Sequence, residues 1–150
     1  MIVLDTSGLL AALDASQQQH RAAADALRAA EPPWILSPFV LAELDYLLAT
    51  RVGIMAERAL LAEVGRGVYR LESFDADDIA AAERVIGSHA DFGIGLADAS
   101  LVVLAMRYGV RELLTLDERH FRALRGPGGS PFRILPADAA RPVTASSSRR

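Results

Sequence analysis

The sequence predicts an α/β fold with a central, mostly parallel sheet of four or five strands and helices on both faces. Short apolar segments alternate with amphipathic helices along the chain, which is the pattern typical of parallel sheets. A chain of 150 residues is a natural size for one domain with a substantial core. We expect this domain to span residues 1–135. Residues 136–150, rich in Ala, Ser and Arg, predict a flexible tail.

The ends of the helices are marked by capping residues and prolines. Ser16 with Gln19 has the capping-box pattern and predicts a helix that continues to about residue 30, before Pro32 and Pro33. Ser37 and Pro38 form an N-cap followed by a first-turn proline. The further helices are predicted at 38–50, 54–64, 75–88, 96–108 and 118–124. The strands are predicted at 1–4, 34–36, 68–71, 111–116 and 132–135, the last of them at an edge of the sheet.

Composition excludes several classes of protein. With 51% hydrophobic and 23% charged residues, the chain is typical of a globular domain and not of a disordered one. No apolar run approaches the roughly 20 residues of a membrane span, and the N-terminus lacks the basic residues of a secretory signal. The absence of cysteine excludes disulfides and thiolate metal sites and suits a cytoplasmic protein.

Charge is distributed unevenly along the chain. The net charge is −3, but residues 1–106 carry seven arginines and fifteen acids, whereas residues 107–150 carry nine arginines and four acids. A basic segment beside acidic clusters fits an enzyme that holds a cation and meets a polyanion. A solvated surface of mixed charge explains the same distribution equally well.

Four acids stand at positions that favour a common site. Asp5 directly follows the first predicted strand, and Asp117 directly follows the fourth, so both lie at the edge of a parallel sheet where ligands bind. Each of these two could instead cap the helix that follows it. Asp98 falls on a helix that is apolar almost all round, opposite a polar stripe of Ser100 and Arg107, and Glu43 falls within the apolar arc of the helix 38–50. A carboxylate on a buried face is costly without a cation or donors, although helix-dipole stabilisation of Asp98 or snorkelling of Glu43 is a structural alternative.

The residue types predict the kind of metal. Carboxylates packed together repel one another unless a cation joins them. Because only oxygen ligands are offered, with no cysteine and no histidine pair, the site favours Mg²⁺ or Mn²⁺, and magnesium held in this way usually serves phosphate chemistry. The cluster Asp75, Asp77 and Asp78 is interpreted as a helix start, and the three histidines, His20, His89 and His120, as isolated and exposed. Contact of His120 with phosphate is an alternative, because it lies in an arginine-rich segment.

Three segments carry a resemblance to a known family. They are Asp5-Thr6-Ser7 after the first strand, Glu43 within LAELDYLL, and the run GLADASLVVLAMRYGVRELLTLDERHF from Gly95 to Phe121. Together they resemble the PIN-domain nucleases, and most closely the VapC toxins of bacterial toxin–antitoxin pairs. The resemblance covers roughly residues 1–135 and implies a three-layer α/β/α sandwich.

The resemblance implies a function for these residues. Asp5, Glu43, Asp98 and Asp117 match the four acidic positions of the family, with Asp5, Asp98 and Asp117 as magnesium ligands. Thr6, Ser7 and Thr115 match its hydroxyl positions, which orient ligands or waters. The implied activity is endonucleolytic cleavage of RNA by a metal-activated water. The implied partners are an antitoxin of the VapB type, whose tail enters the active site, and a second copy of the chain. RNA contact by Arg119, Arg122 or Arg125 is a further hypothesis.

Three alternatives to a toxin ribonuclease stay open from the sequence. The first is a PIN-type nuclease that serves RNA processing or cuts DNA, and the second is a catalytically silent PIN fold that only binds a partner. The complete set of acids argues against the second. The third is an aspartyl-phosphate phosphatase using Asp5, but that chemistry usually has a second acid two residues later, where this chain has Ser7.

Overall fold

The computed structural model describes residues 1–139, and these residues form one sheet of five strands. The strands pair in the order third, second, first, fourth, fifth, and every pair is parallel. The predicted α/β class is therefore confirmed, with the fifth strand at an edge as expected. In chain order the strands are β1 (Ile2–Leu4), β2 (Trp34–Leu36), β3 (Arg70–Leu71), β4 (Glu112–Leu114) and β5 (Arg133–Leu135).

Helices occupy both faces of this sheet. Because crossovers between parallel strands are right-handed, the strand order places the first four helices on one face and the other three on the opposite face. This arrangement is the expected three-layer sandwich. None of the helices in the described part is long and apolar enough to cross a membrane. The helices of residues 1–139 are α1 (Thr6–Leu13), α2 (His20–Ala29), α3 (Pro38–Arg51), α4 (Ile54–Gly65), α5 (Ala76–Ser88), α6 (Leu96–Tyr108) and α7 (Glu118–Ala123).

The core lies on both sides of the central strands. All three residues of β1 are fully buried, as are Leu113 and Leu114 of β4. A strand covered on both faces needs apolar side chains at every position, which is why these segments are continuous apolar runs without alternation. Leu4 is in register with Leu36 on one side and with Leu114 on the other, so the strands end level. The loops after them therefore start from one edge of the sheet.

Helix α1 is absent from the predicted elements, and the predicted start of α2 is wrong. Residues Gly8–Ala11 of α1 are all buried, so the segment has no amphipathic period by which a helix is recognised. The helix expected from Ser16 begins at His20, and no side chain caps it. The hydroxyl and the backbone N–H of Ser16 donate instead to Asp14 Oδ1, at 2.8 and 3.0 Å. The Asp14 carboxylate thus binds the Ser16 backbone N–H that a capping box would have paired with the Gln19 side chain.

The other predicted boundaries differ from the structure by small amounts, with two consequences. Strand β4 ends at Leu114, so Thr115 and Leu116 stand between the strand and Asp117. Within residues 136–139, part of the predicted tail, Asp138 accepts hydrogen bonds from the Ile134 N–H at 2.8 Å and from Arg122, and the flexibility of the tail stays a prediction. The remainder of the predicted tail lies outside the described residues.

Gly8 allows α1 to pack directly on the backbone of β4. A Cβ atom at this position would lie 2.4 Å from the Leu114 carbonyl oxygen and 2.8 Å from the Thr115 nitrogen. Because backbone cannot move aside as a side chain can, we expect Gly8→Ala to lower the free energy of unfolding by about 3 kcal/mol.

Gly87→Ala is the matched control for this measurement. Gly87 also lies within a helix, and its added Cβ would meet only Glu83 Oε1 at 3.8 Å. We expect this variant to be neutral or to gain up to about 1 kcal/mol from helix propensity. Urea unfolding of both variants measures the difference, and equal stability of the two would contradict the close packing of α1 on β4.

Candidate active site

The candidate site lies where the sheet changes direction. The chain proceeds from β1 to β2 and β3, then returns to β4 on the other side of β1, so the crevice between β1 and β4 is the topological switch point. Asp5 follows β1 directly, and Asp117 follows β4 after two residues. Asp98 comes from the first turn of α6, and Glu43 from α3. The structure brings all four predicted acids into one cavity of about 300 Å³, which is called the acid cavity below. Its wall consists of Asp5, Thr6, Ser7, Leu10, Glu43, Leu47, Arg51, Asp98 and Asp117.

Asp5 is held in place by two hydroxyl groups. Its side chain is 5% exposed, and its Oδ2 accepts hydrogen bonds from Thr115 Oγ1 at 2.6 Å and from Ser7 Oγ at 2.9 Å. The same hydroxyls accept the backbone N–H groups of Asp117 and Leu116, each at 3.0 Å. The loops after β1 and β4 are thus joined through Asp5. Although Asp5 occupies the N-cap position of α1, its side chain makes no capping hydrogen bond, so capping does not account for it.

Asp98 and Asp117 face each other across a histidine. Nδ1 of His120 lies 2.9 Å from Asp117 Oδ2 and 3.3 Å from Asp98 Oδ2, although neither contact is aligned as a hydrogen bond. The other oxygen of Asp117, Oδ1, accepts the backbone N–H of His120 at 3.1 Å and caps α7. Asp117 therefore combines the capping role with a position in the cavity. The prediction that His120 is isolated and exposed is wrong, since its side chain is 20% exposed and contacts two of the acids.

Glu43 lies on the face of α3 that borders the acid cavity. Leu47 and Arg51 follow it at intervals of four residues on the same wall, while Val40, Leu44 and Leu48 are buried in the core. The expectation that Glu43 lies within a buried arc is wrong, because its side chain is exposed.

The expectation of a polar stripe on α6, formed by Ser100 and Arg107, is also partly wrong. Ser100 is fully buried, and its hydroxyl is satisfied by Ser37 Oγ at 2.7 Å and by the Ala97 carbonyl.

Three acids of this cavity, Asp5, Asp98 and Glu43, are costly to ionise. Burial raises the pKa of Asp5 to about 6, with a further contribution from the Asp98 carboxylate and with the hydroxyls of Thr115 and Ser7 acting in the opposite direction. Burial also raises the pKa of Asp98, and the Asp117 carboxylate adds to this effect. Although the Glu43 side chain is exposed, partial desolvation of its carboxylate against the cavity wall raises its pKa, and the Asp98 carboxylate adds to this effect. A positive charge in the cavity would relieve all three carboxylates.

The residues present fit a hard divalent cation. The donors are carboxylate and hydroxyl oxygens, as Mg²⁺ and Mn²⁺ prefer. Within residues 1–139, Thr6 Oγ1 is buried in the wall without a hydrogen-bond partner, and both side-chain hydrogen bonds to Asp5 go to its Oδ2. As they stand, no three histidine or acidic side chains in residues 1–139 converge closely enough to hold a metal. The acids share a cavity rather than a preformed coordination shell.

The second acidic cluster, Asp75, Asp77 and Asp78, lies at the start of α5. Asp75 and Asp78 form a reciprocal capping box at the start of α5. Asp78 also pairs with Arg107 at 2.9 Å. The interpretation of this cluster as a helix start is therefore supported, and these carboxylates do not line the acid cavity.

The three arginines suggested for RNA contact do not line the acid cavity. Arg122 pairs with Glu118 at 2.8 Å and with Asp138 at 2.7 Å. Arg125 donates to backbone carbonyls and borders a separate cavity between α5 and α6. Arg119 is exposed on α7. Contact of these three residues with RNA stays a prediction.

Two residues of the site were not predicted, although spacing pointed to both. His120 is three residues after Asp117, so the N-cap of α7 and its first turn bring them to the same side. Arg51 is eight residues after Glu43, which places both on one face of α3. Both signals were therefore available in the sequence once Asp117 and Glu43 had been assigned to the site.

Comparison with known proteins agrees with the fold and with the sequence motifs. A family model described as the PIN domain matches residues 2–127. The chain belongs to the PIN-domain family. Among curated proteins it is 46% identical over 135 residues to Ribonuclease VapC26 of Mycobacterium tuberculosis, a match that covers 90% of this chain and all of the relative. The expected resemblance to VapC proteins is thereby confirmed.

Solved structures show the same architecture. The crystal structure of VapC20 of Mycobacterium tuberculosis, described as a toxin that cleaves the sarcin–ricin loop, matches with a TM-score of 0.73 and 26% identity. The match covers 78% of this chain and 90% of VapC20. A chain of FitAcB from Neisseria gonorrhoeae matches with a TM-score of 0.50 and 18% identity, covering 73% of this chain and 83% of that one, and supports the fold alone.

Proposed function

We propose that this chain is a Mg²⁺-dependent endoribonuclease, with Mn²⁺ as an alternative ion, that acts as the toxin of a toxin–antitoxin pair. The observation that carries this proposal is the set of four acids in one cavity at the switch point of the sheet. The names of two relatives support the substrate and the role, since one is called a ribonuclease and the other is described as a toxin that cleaves the sarcin–ricin loop.

The roles of the residues follow from their surroundings. Asp5, Asp98 and Asp117 would hold the ion, with Glu43 beside them. When bound, the ion would neutralise the charge of the scissile phosphate and activate a water for attack. The hydroxyls of Ser7 and Thr115 fix the orientation of Asp5, and Thr6 Oγ1 is free to bind a water or a ligand. Glu43, exposed and with a raised pKa, is suited to accept the proton that the attacking water loses.

The proposal includes two protein partners. One is an antitoxin of the VapB type whose tail covers the acid cavity, and the other is a second copy of this chain in a homodimer. Both rest on the resemblance to VapC proteins. The phosphatase alternative loses support, because Ser7 stands where a second acid is needed and its hydroxyl donates to Asp5.

Cleavage assays distinguish the proposed function from its alternatives. Purified protein is incubated with RNA or with DNA, each in Mg²⁺ and in EDTA. We expect the protein to cleave RNA in Mg²⁺ but not in EDTA, and to cut phosphodiester bonds inside the strand rather than at its ends. Cleavage of DNA would favour the alternative of a PIN-type nuclease that acts on DNA. The absence of cleavage of either substrate would favour a catalytically silent PIN fold that only binds a partner.

Expression in a bacterium tests the toxin role separately. We expect wild-type protein produced without an antitoxin to arrest growth, and Asp98→Asn to relieve the arrest. Harmless expression of protein that cleaves RNA in the purified assay would contradict the toxin role and leave the nuclease role intact.

A further inference from the structure

Arg51 is the one cation among the residues that line the acid cavity. It is the last residue of α3, and its side chain is exposed. Within residues 1–139 its guanidinium makes no hydrogen bond and no ion pair, although four carboxylates line the same cavity. A cation beside acids that does not pair with them is available to an anion from outside.

The other arginines of the described part do not share this combination. Five of them pair with carboxylates, and two donate to backbone carbonyls. Five others have no partner in residues 1–139, and none of these five lines the acid cavity. The arginines that pair with carboxylates are Arg28, Arg70, Arg107, Arg122 and Arg133, and those that donate to carbonyls are Arg111 and Arg125. The arginines without a partner in residues 1–139 are Arg21, Arg58, Arg66, Arg84 and Arg119.

The wall of the cavity changes character along α3. Glu43 and Arg51 are separated by about two turns, or roughly 12 Å along the helix axis. Leu47 lies between them, and Leu10 occupies the corresponding place on α1, one turn after Thr6. The cavity thus has an acidic end, where the Asp98 carboxylate acts on both Asp5 and Glu43, and a basic end at Arg51, with leucines between.

We propose that Arg51 binds a backbone phosphate of the RNA next to the scissile one. This inference rests on the proposed function. A nucleic-acid strand presents one phosphate after another, so a strand whose scissile phosphate lies at the acidic end carries a neighbouring phosphate toward the basic end. The planar guanidinium matches a phosphate in two hydrogen bonds, which an ammonium group cannot do. Arg51 positions the substrate and takes no part in bond breaking.

A structural role for Arg51 makes a different prediction. An arginine in the last turn of a helix interacts favourably with the helix dipole. If that is its whole contribution, removal of the side chain lowers the melting temperature and leaves substrate binding unchanged. A phosphate contact raises KM and leaves kcat near the wild-type value.

The test compares Arg51→Ala, Arg51→Lys and the matched control Arg58→Ala with the wild type. Arg58 is exposed on the next helix, has no partner in residues 1–139 and lies outside the acid cavity. Steady-state cleavage in Mg²⁺ gives KM and kcat over a series of salt concentrations. Fluorescence anisotropy in EDTA gives the Kd of a short labelled RNA that contains the site cleaved by the wild type.

We expect Arg51→Ala to raise KM and Kd about tenfold, with kcat within about twofold of wild type. Its plot of log(1/Kd) against log salt should be shallower by about 0.7, the value of one phosphate contact in a single strand. Arg51→Lys should recover part of the loss, and Arg58→Ala should match the wild type. Wild-type values of KM, Kd and salt slope in Arg51→Ala would overturn the inference and leave the proposed function standing. A wild type that does not cleave RNA would overturn both.

Discussion

Asp5→Asn is expected to reduce Mg²⁺-dependent cleavage of RNA by about a thousandfold. A divalent ion contributes several kcal/mol of charge stabilisation to phosphoryl chemistry, and each 1.36 kcal/mol corresponds to a factor of ten in rate. Asparagine keeps the shape of Asp5 but removes the charge that would hold the ion. The Ser7 and Thr115 hydroxyls, which donate to Oδ2, can donate to the amide oxygen of asparagine instead. The loss should therefore be chemical and not structural.

Two further variants control this measurement. Asp98→Asn removes another proposed ligand and should cause a loss of similar size. Asp77→Asn removes an exposed carboxylate at the start of α5, outside the acid cavity, and should retain wild-type activity. Near-normal turnover of Asp5→Asn at saturating Mg²⁺ would remove Asp5 from the site.

The same substitution is expected to stabilise the metal-free protein. In EDTA at pH 8, Asp5→Asn should exceed the wild type in free energy of unfolding by up to about 3 kcal/mol, the equivalent of a pKa raised from 3.8 to about 6. The folded state holds the Asp5 proton more tightly than the unfolded state does. The stability of the wild type therefore falls as pH rises from about 4 through about 6. Asparagine does not titrate, so the two proteins should differ little at pH 4.

Added Mg²⁺ should narrow or reverse this difference. An ion that binds only the folded state stabilises the wild type by about 2.7 kcal/mol at a hundredfold excess over Kd, and the variant should gain much less. Thermal melts of both proteins at pH 4 and pH 8 in EDTA, and at pH 8 in Mg²⁺, measure how the difference in their stability depends on pH and on Mg²⁺. If the Asp5 carboxylate were neither costly to bury nor a ligand of the ion, the variant would not be more stable than the wild type in EDTA at pH 8, and both proteins would respond equally to Mg²⁺. A variant that is more stable in EDTA yet inactive in Mg²⁺ would exclude unfolding as the cause of lost cleavage.

The position of the acids could be predicted because it depends on topology. The end of β1 is visible as a buried apolar run followed by Asp5, and parallel strands bring their carboxyl ends to one edge. The bounds of α6 also agree with the prediction, since Gly109 ends the helix with a φ of 64°, a conformation that glycine adopts at little cost. The placement of Asp98 in the first turn of α6 follows from those bounds.

Other features depend on contacts that no local pattern records. Helix α1 is buried over most of its length, so its sequence lacks the polar face that marks a helix at the surface. Ser100 is polar but is buried in the core, because its hydroxyl forms a hydrogen bond with the hydroxyl of Ser37, the N-cap residue of α3. His120 and Arg51 are ordinary surface residues by sequence. The structure locates Asp98 beside His120, and it places Arg51 on the same cavity wall as Glu43.

Binding of Mn²⁺ to the metal-stripped protein tests most directly whether the acid cavity is a metal centre. Isothermal titration of the wild type, Asp5→Asn and Asp77→Asn with MnCl₂ at pH 8 gives the affinity of each protein. We predict saturable binding to the wild type and to Asp77→Asn, and binding to Asp5→Asn that is weaker by at least about tenfold. Equal affinity in the three proteins, or no binding to the wild type, would contradict the assignment of Asp5, Asp98 and Asp117 as metal ligands.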